Sequence, residues 1–278
     1  MDKPLISVIV AVLNGAKTLQ RCIDTVVGQS YPHKELLVID GASTDGTVRI
    51  LQEQGEKLAY WESTPDRGIY HAWNKALDHI QGEWVCFLGA DDFFWDNTTL
   101  ERLVPHLAAA YPSIRVVYGK VALVASDGRV LEIRGQPWRR ARGPFLQGLP
   151  ASGLPHQGVL HHRSIFQESG LFDESFRIAG DFELQLRTLR DSAALFVPND
   201  IMAGMGYGGI STNAENALEI LREVARARKM NGIQGVPLLW YWECAKAKAR
   251  DYLARTAGDR VAQHATNLYR RLTGRQSI

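Results

Sequence analysis

The 278-residue chain has no uninterrupted apolar run of the ~18 residues or more that a bilayer-crossing helix needs. Its opening, Met1-Asp2-Lys3-Pro4, lacks a cationic start leading into an apolar region and a cleavage site, which predicts a protein kept in the cytoplasm. Cysteine is scarce. Cys22, Cys86 and Cys244 lie far apart, two of them within apolar runs, and read as packed thiols of a reducing compartment rather than a disulfide framework. Neither sign of charge dominates: 32 Lys and Arg against 30 Asp and Glu leave a net +2, too little for a dedicated nucleic-acid groove, so no nucleic-acid partner is expected. Internal repeats and low-complexity segments are also missing. The remainder, 45% hydrophobic and 22% charged, reads as a soluble globular protein with one large core, or a core plus a smaller appendage.

Hydrophobic periodicity orders the elements. Leu5 through Val12 is β-branched and almost continuous, as suits a strand covered on both faces of a parallel sheet. Asn14-Gly15 ends it, and Leu19, Ile23, Val26 and Val27 recur at helical spacing up to Tyr31-Pro32. A second strand over 35–40 follows, then a helix over 47–54, a short strand over 58–61, a helix over 69–80, a strand over 84–88 and a helix over 100–110. This alternation predicts an α/β fold, a Rossmann-like and mostly parallel sheet flanked by helices, in which ligands gather at the carboxyl ends of strands. Beyond residue 114 the rhythm changes. Residues 115–118 and 130–133 read as strands around the turn Ser126-Asp127-Gly128-Arg129, a sheet extension or antiparallel insert. Residues 135–158, rich in Gly and Pro and carrying Trp138-Arg139-Arg140-Ala141-Arg142, read as a long functional loop. From Ala214 on, Leu218, Leu221, Val224 and Ala225 recur at helical spacing and 245–253 does the same, which predicts a helical tail. The expected division is a domain over 1–212, with halves of about 1–114 and 115–212, and a helical C-terminal extension over 213–278.

Adjacent carboxylates, Asp91 and Asp92, directly follow the apolar strand Trp84-Val85-Cys86-Phe87-Leu88. A strand end is a rigid mount, and paired acids there suit a divalent cation or a hydroxylated ligand. Two further polar clusters fall at predicted strand ends. Asp40 is followed by Gly41-Ala42-Ser43-Thr44-Asp45-Gly46, where small residues admit a ligand to the backbone and Ser43 or Thr44 can cap the next helix. Pro65-Asp66-Arg67-Gly68 leads a helix that carries Asn74 and Lys75. Singly, each cluster also reads as a turn or cap; together they mark one crevice.

In order, these residues resemble the inverting nucleotide-sugar transferases of glycosyltransferase family 2, which have the GT-A fold. The resemblance runs from Ile6 to about Ser211, through Val10-Ala11-Val12-Leu13-Asn14 and the blocks at 37–47, 66–76 and 82–92. It continues in Pro155-His156-Gln157-Gly158, in Gly170-Leu171-Phe172-Asp173-Glu174-Ser175-Phe176, in Ala179-Gly180-Asp181-Phe182-Glu183 and in Gly208-Gly209-Ile210-Ser211. The versions at 66–76 and 208–211 are most similar to enzymes of exopolysaccharide and colanic-acid-type pathways. What the resemblance implies is transfer of a sugar, with inversion, from a nucleoside-diphosphate donor (a UDP-sugar) to a hydroxyl of a glycan or lipid-linked saccharide in polysaccharide biosynthesis. It assigns Val12, Asn14, Asp40, Ser43, Arg67, Gly68, Asn74, Lys75 and Asp91 to the nucleotide-sugar, with Asp40 reading the nucleobase and Asp91 the ribose. Asp92 is implied to hold Mg²⁺ or Mn²⁺ against the diphosphate, and Asp181 to be the catalytic base. Trp138, Arg140 and His156 fall on the acceptor side.

The chemistry of these residue types is consistent with those roles. A hard cation that bridges phosphates keeps several waters and needs few carboxylates, and it stabilises charge on a departing diphosphate without a proton donor. Arg67 and Lys75 can help with the same charge, or be solvated helix-face cations. An acceptor hydroxyl has a very high pKa, so a carboxylate within about 3 Å must take its proton as the new bond forms. Asp181 stands near a helix start, where capping is the competing role, and Glu183 points to another helix face. Three glycines depart from the commoner family form: Gly180 where a Glu precedes the base, and Gly41 and Gly89 where further acids occur. His156, His161 and His162 suggest a zinc cluster by residue type alone, yet packed or exposed histidines are commoner than ligands.

The indole of Trp138 can stack on a sugar face, and Arg139, Arg140 and Arg142 suit phosphate. Leu238-Leu239-Trp240-Tyr241-Trp242 precedes Lys246, Lys248 and Arg250, the order of a helix lying in a lipid interface; core packing of the aromatics is the alternative. A polyprenyl-diphosphate-linked acceptor gives both features one cause, a cytoplasmic enzyme in peripheral contact with an anionic membrane at its inner face. Other readings stay open. A polyprenyl-phosphate sugar synthase uses phosphate as nucleophile and needs no strong base, and a non-catalytic sugar-nucleotide or glycan-binding module keeps the crevice without turnover. A nucleotidyltransferase opens with a Gly-rich basic loop, which 10–17 is not.

Overall fold

The computed structural model describes residues 3–149, 154–235, 237–257, 261 and 268. In chain order the main elements are β1 (Ile6–Val12), α1 (Leu19–Val27), β2 (Lys34–Asp40), α2 (Thr47–Gln54), β3 (Tyr60–Ser63), α3 (Ile69–Leu77), β4 (Trp84–Gly89), β5 (Phe93–Phe94) and α4 (Thr99–Ala110). There follow β6 (Val116–Val124), β7 (Val130–Arg134), α5 (Trp138–Leu146), β8 (Val159–His162), α6 (Ser164–Ser169), α7 (Gly180–Leu189), β9 (Leu195–Gly206), α8 (Ala217–Met230) and α9 (Leu238–Ala257).

One sheet runs in the order β3-β2-β1-β4-β8-β6-β9-β5, with β7 paired to the outer part of β6. From β3 to β4 every pairing is parallel. Beyond β4 the sheet is mixed: β8 lies antiparallel between β4 and β6, β6 and β9 are parallel, and β5 and β7 add antiparallel edges. The central strands are covered on both faces, which is why they are apolar almost without interruption. Ile6, Val8 and Val10 of β1 face one core with Leu19, Ile23 and Val26 of α1 and Leu100, Leu103 and Leu107 of α4. Ile9, Leu37, Ile39, Val85 and Phe87 face the other, against Ala72, Trp73 and Ala76 of α3 and Leu184 and Leu186 of α7. Each fully buried aliphatic side chain contributes about 1.5–3 kcal/mol, so these two layers fix the register of the strand ends.

The segment expected as a long loop contains a helix instead. Ala141 and Phe145, four residues apart, are buried on one face of α5, and Phe145 packs edge-on against Trp138 at 5.6 Å and Phe182 at 5.3 Å. Gly143 and Pro144 obscured that pairing in the sequence; residues 150–153 lie outside the described residues. In the tail, α8 packs on α7 and α9 packs on α8. Most of 258–278, expected to be helical, lies outside the described residues. Among the described residues no helix is long and apolar enough to cross a membrane. Cys22 and Cys86 are buried, Cys244 is half-buried, and all are free thiols.

Candidate functional site

Parallel register sets Val12 beside Asp40 and Ala11 beside Gly89, so the turns that follow β1, β2 and β4 stand side by side. Hydrogen bonds knit the first two together. Asn14, at φ +54°, donates its N–H to Ser43 Oγ (2.6 Å), and its Oδ1 accepts the Thr44 N–H (2.9 Å). Gly15 and Ala16 donate to Thr47 Oγ1 and Asp45 Oδ2, both at 3.0 Å. Behind this floor Asp40 is buried; its carboxylate accepts the Ser43 N–H at 2.9 Å, the Ser43 hydroxyl, and the Ser63 hydroxyl at 2.6 Å. Val12 is buried at the end of β1.

Asp66 reaches this floor from the turn before α3. A Cβ at Gly41 would lie 2.6 Å from Asp66 Oδ2, so the acid that Gly41 lacks is replaced in space by one from residue 66. Its Oδ1 accepts the N–H of Gly68, whose φ of +122° suits glycine. The neighbouring cations are engaged. Arg67 pairs with Glu174 at 2.5 Å, and Lys75 Nζ bonds Glu62 at 2.7 Å and Thr64 Oγ1 at 2.5 Å. Asn74 is buried and clamps Phe172, donating to its carbonyl (2.9 Å) and accepting its N–H (3.0 Å).

The paired acids divide by exposure. Asp92 is only 3% exposed and takes N–H bonds from Gly89 (2.8 Å) and Gly206 (3.2 Å), with the Gln157 side chain as a further partner. Burial, then the charge of Asp91, push its pKa up to about 7. Asp91 is half-buried; burial raises it and the Arg21 guanidinium, which donates to the Asp91 carbonyl at 2.8 Å, lowers it. Its carboxylate lies against glycine backbone: a Cβ at Gly206 would stand 2.8 Å from Asp91 Oδ2, and one at Gly209 3.5 Å. Both acids also lie 2.9 Å from where a Gly89 side chain would begin, so an acid at 89 has no room here. Among the described residues no group of three or more His, Cys, Asp or Glu is arranged as a metal site, and the histidines form no zinc cluster.

Asp181 occupies the first turn of α7, half-buried. Burial pushes it up to about 6, against the pull of the Phe182 N–H and the Tyr70 hydroxyl, which lies 3.4 Å from Oδ1. The Tyr70 ring fills the space of a residue-180 side chain, since a Cβ on Gly180 would stand 2.8 Å from it. That hydroxyl also donates to the Ile178 carbonyl at 2.5 Å. Tyr70 lies in the first turn of α3, which opens beyond the carboxyl end of β3, and Ser63 at that end bonds Asp40. Asp181 is therefore carried at the same rim of the sheet as Asp40. Glu183 turns away, buried against Arg187 at 2.9 Å.

The three acceptor-side residues do not converge. Trp138 is half-buried against Phe145, and Arg140 is exposed on α5. His156, expected in an acceptor loop, is a core residue: it is 4% exposed, stacks on Trp73 (4.9 Å) and Phe87 (5.3 Å), and burial pushes its pKa well below the usual imidazole range. Its neighbour Gln157 turns to Asp92 instead. Asp66, Tyr70, Gln157 and Arg21 escaped the sequence reading, although the first three stand inside blocks it singled out.

A sequence model of Glycosyl transferase family 2 matches residues 7–170. The chain is 29% identical over 217 residues to a PGL/p-HBAD biosynthesis glycosyltransferase of Mycobacterium bovis (strain BCG / Pasteur 1173P2), covering 76% of this chain and 80% of that protein. It is 33% identical over 193 residues to an uncharacterized glycosyltransferase of Mycobacterium tuberculosis (strain CDC 1551 / Oshkosh), covering 66% and 68%. Among solved structures, S. aureus TarS aligns with a TM-score of 0.61 at 18% identity over 80% of this chain, which spans only 39% of the TarS chain. A shorter TarS, residues 1–349 in complex with UDP-GlcNAc, gives 0.60 at 19% identity, covering 80% of this chain and 66% of that one. A mannosyltransferase from Pyrobaculum calidifontis in complex with GDP-Man and Mn²⁺ gives 0.59 at 22% identity, covering 95% and 74%. These neighbours share a GT-A-type fold with it, and the family match covers more than half of its length: the chain belongs to glycosyl transferase family 2.

Proposed function

We propose that the protein transfers a sugar from a UDP-sugar to a hydroxyl of a lipid-linked saccharide, with inversion, in polysaccharide or glycoconjugate biosynthesis. The observation that carries this reading is Asp181, a carboxylate raised to about 6 at the start of α7, on the same sheet rim as the acids that follow β2 and β4. A pKa near 6 leaves it ionised at neutral pH yet basic enough to accept a proton. As the acceptor oxygen bonds to the anomeric carbon and the bond from that carbon to the diphosphate oxygen breaks, the hydroxyl proton passes to Asp181. The TarS complex with UDP-GlcNAc and the mannosyltransferase complex with GDP-Man support a nucleoside-diphosphate sugar as donor.

The donor set fits Mg²⁺ or Mn²⁺. Asp92, raised to about 7 by burial and Asp91, is a carboxylate whose charge lacks a compensating cation, and the half-buried Asp91 carboxylate lies against the backbone of Gly206 and Gly209, where a side chain would crowd it. Asp91 would ligate from the exposed side, with Asp92 anchoring the turn through Gly89, Gly206 and Gln157. When bound, the cation supplies charge neutralisation to the departing diphosphate. Asp66 and Asp40 would line the nucleobase end, and Asn14 and Ser43 the floor beneath it.

The acceptor assignment draws on α9. Leu238, Tyr241, Trp242, Ala245, Ala249 and Tyr252 share its outward face, while Trp240, Glu243 and Cys244 turn inward, so the wetter face is the more apolar one. Lys248 flanks that face on one side and Lys246 and Arg250 on the other, an arrangement suited to an anionic lipid surface in peripheral contact.

The test is release of nucleoside diphosphate from a panel of nucleotide sugars, with Mg²⁺, Mn²⁺ or chelator, in the presence of a lipid-linked acceptor extract. Asp181→Asn is expected to lose about 10²- to 10⁴-fold in transfer. Near-normal turnover by that variant would instead favour a polyprenyl-phosphate sugar synthase, and transfer that survives chelator would remove the cation from the scheme.

A further inference from the structure

Helix α8 lies beyond the segment matched by the family model, yet one face of it grips the loop that leads into α7. Glu219, Glu223 and Arg226 stand at positions i, i+4 and i+7, on one side of the helix. Glu219 pairs with Arg177 at 3.0 Å. The Arg226 guanidinium lies 3.7 Å from the centre of the Phe176 ring and bonds Ser175 Oγ at 2.8 Å. Between them, the Glu223 carboxylate accepts three consecutive backbone N–H groups: Arg177 on Oε1 at 2.7 Å, and Ile178 and Ala179 on Oε2 at 2.9 and 2.7 Å. Those donors immediately precede Gly180 and Asp181. The helix cap itself, Ala179, offers no side-chain acceptor, and Glu223 sets an anion at the positive end of the α7 dipole by collecting the N–H groups that lead into the helix rather than those of its first turn.

We propose that Glu223 is a positioning residue for transfer: by collecting the N–H groups of 177–179 it fixes where the Asp181 carboxylate stands against the acceptor hydroxyl. This rests on the reading of Asp181 as the base. The opposite side of the same loop is held by Tyr70, whose hydroxyl bonds the Ile178 carbonyl, so residue 178 is pinned through its carbonyl by α3 and through its N–H by α8. The charge has a second consequence. The groups facing Asp181 are the Tyr70 hydroxyl from α3, the Phe182 N–H of its own turn and Glu223 from α8; the first two favour the ionised form and Glu223 favours the protonated one.

Glu223→Ala and Glu223→Gln separate the two effects, with donor affinity and thermal melting as checks on the fold. Glu223→Ala is expected to lower kcat for transfer by about 10- to 100-fold while KM for the donor stays within about twofold, because a misplaced base costs rate rather than donor binding. Glu223→Gln keeps an acceptor oxygen but no charge, and the acid limb of its kcat profile is expected to move to lower pH. Unchanged kcat and an unmoved limb in both variants, with Asp181→Asn inactive, overturn the positioning role and leave the base in place. Should Glu223→Ala fail to fold, the limb of Glu223→Gln decides alone. Full turnover by Asp181→Asn sinks the base and this role together.

Discussion

A Cβ added at Gly41, Gly89 or Gly180 would run into Asp66, into Asp91 and Asp92, or into the Tyr70 ring. At Gly41 and Gly180 a side chain from another segment therefore occupies the vacated room, and at Gly89 the acids of its own turn do. The consequences differ with what stands in the way. Asp66 is the far end of a short chain in an exposed turn and can swing aside, whereas the Tyr70 ring is packed against Trp73 at 5.5 Å and Phe172 at 5.7 Å and its hydroxyl is bonded to Ile178. Gly180→Ala is thus expected to cost about 1–3 kcal/mol as overpacking does, and Gly41→Ala less than half of that, read as urea midpoints at constant slope. Equal midpoints for the two would mean the ring is not fixed. At the same scale, Asp181 must be ionised to accept a proton, so kcat is expected to fall as pH drops through about 6, with Asp181→Asn abolishing that limb. Asp40, Asp91 and Asp181 were legible because an acid after an apolar strand or at a helix start is a local pattern. Asp66 and Tyr70 were not, because their places depend on Gly41 and Gly180, distant in sequence, and Gln157 was not, because its partner Asp92 is 65 residues away.

Among the elements, β4, β8, α3 and α7 enclose a core of mixed character, in which His156 and His161 sit 5.7 Å apart among Trp73, Phe87, Phe166 and Phe172. Neither ring nitrogen of His161 has a hydrogen-bond partner among the described residues, and burial pushes its pKa from 6.5 to about 3. An imidazole held neutral in the fold charges readily in the unfolded chain. Its contribution is therefore fully present above about pH 6.5 and is lost as pH falls toward the folded value. Asp92 and Asp181, raised in the fold, act with the opposite sign on acidification, so the histidine effect has to be isolated by difference. Between pH 7 and pH 5 the wild type is expected to lose about 2 kcal/mol more in urea unfolding than His161→Phe, and parallel pH profiles for the two would contradict it. Of these, β4 and α3 were readable, since β4 buries both faces and α3 repeats its buried residues at helical spacing; β8 was not read as a strand, and α5 was not read as a helix because Gly143 and Pro144 interrupt a short helix that only the core beneath Ala141 and Phe145 holds in place.

Across the whole molecule, strand order was the least legible feature, since nothing local in Val159-Leu160-His161-His162 says that this segment inserts antiparallel between β4 and β6. The insertion nonetheless positions the site. Gln157, just before β8, reaches Asp92 after β4, and Gly206 at the end of β9 bonds the same carboxylate. From there α7, α8 and α9 pack in succession, carrying Asp181, the proposed base, the residues that grip its loop, and the outward aromatic face. In that face Leu238 is 87% exposed, Tyr241 57%, Trp242 55% and Tyr252 67%, while Lys246, Lys248 and Arg250 border it. Cations beside an aromatic stripe give binding that needs both apolar insertion and anionic headgroups. The protein is accordingly expected to sediment with vesicles that contain phosphatidylglycerol, to be released from them by salt, and to bind pure phosphatidylcholine weakly. Tyr241→Ser with Trp242→Ser should lower vesicle binding about tenfold or more while turnover on a water-soluble acceptor stays unchanged. A variant pair that still binds vesicles but no longer self-associates in solution would show that the face covers a second copy of the chain rather than lipid.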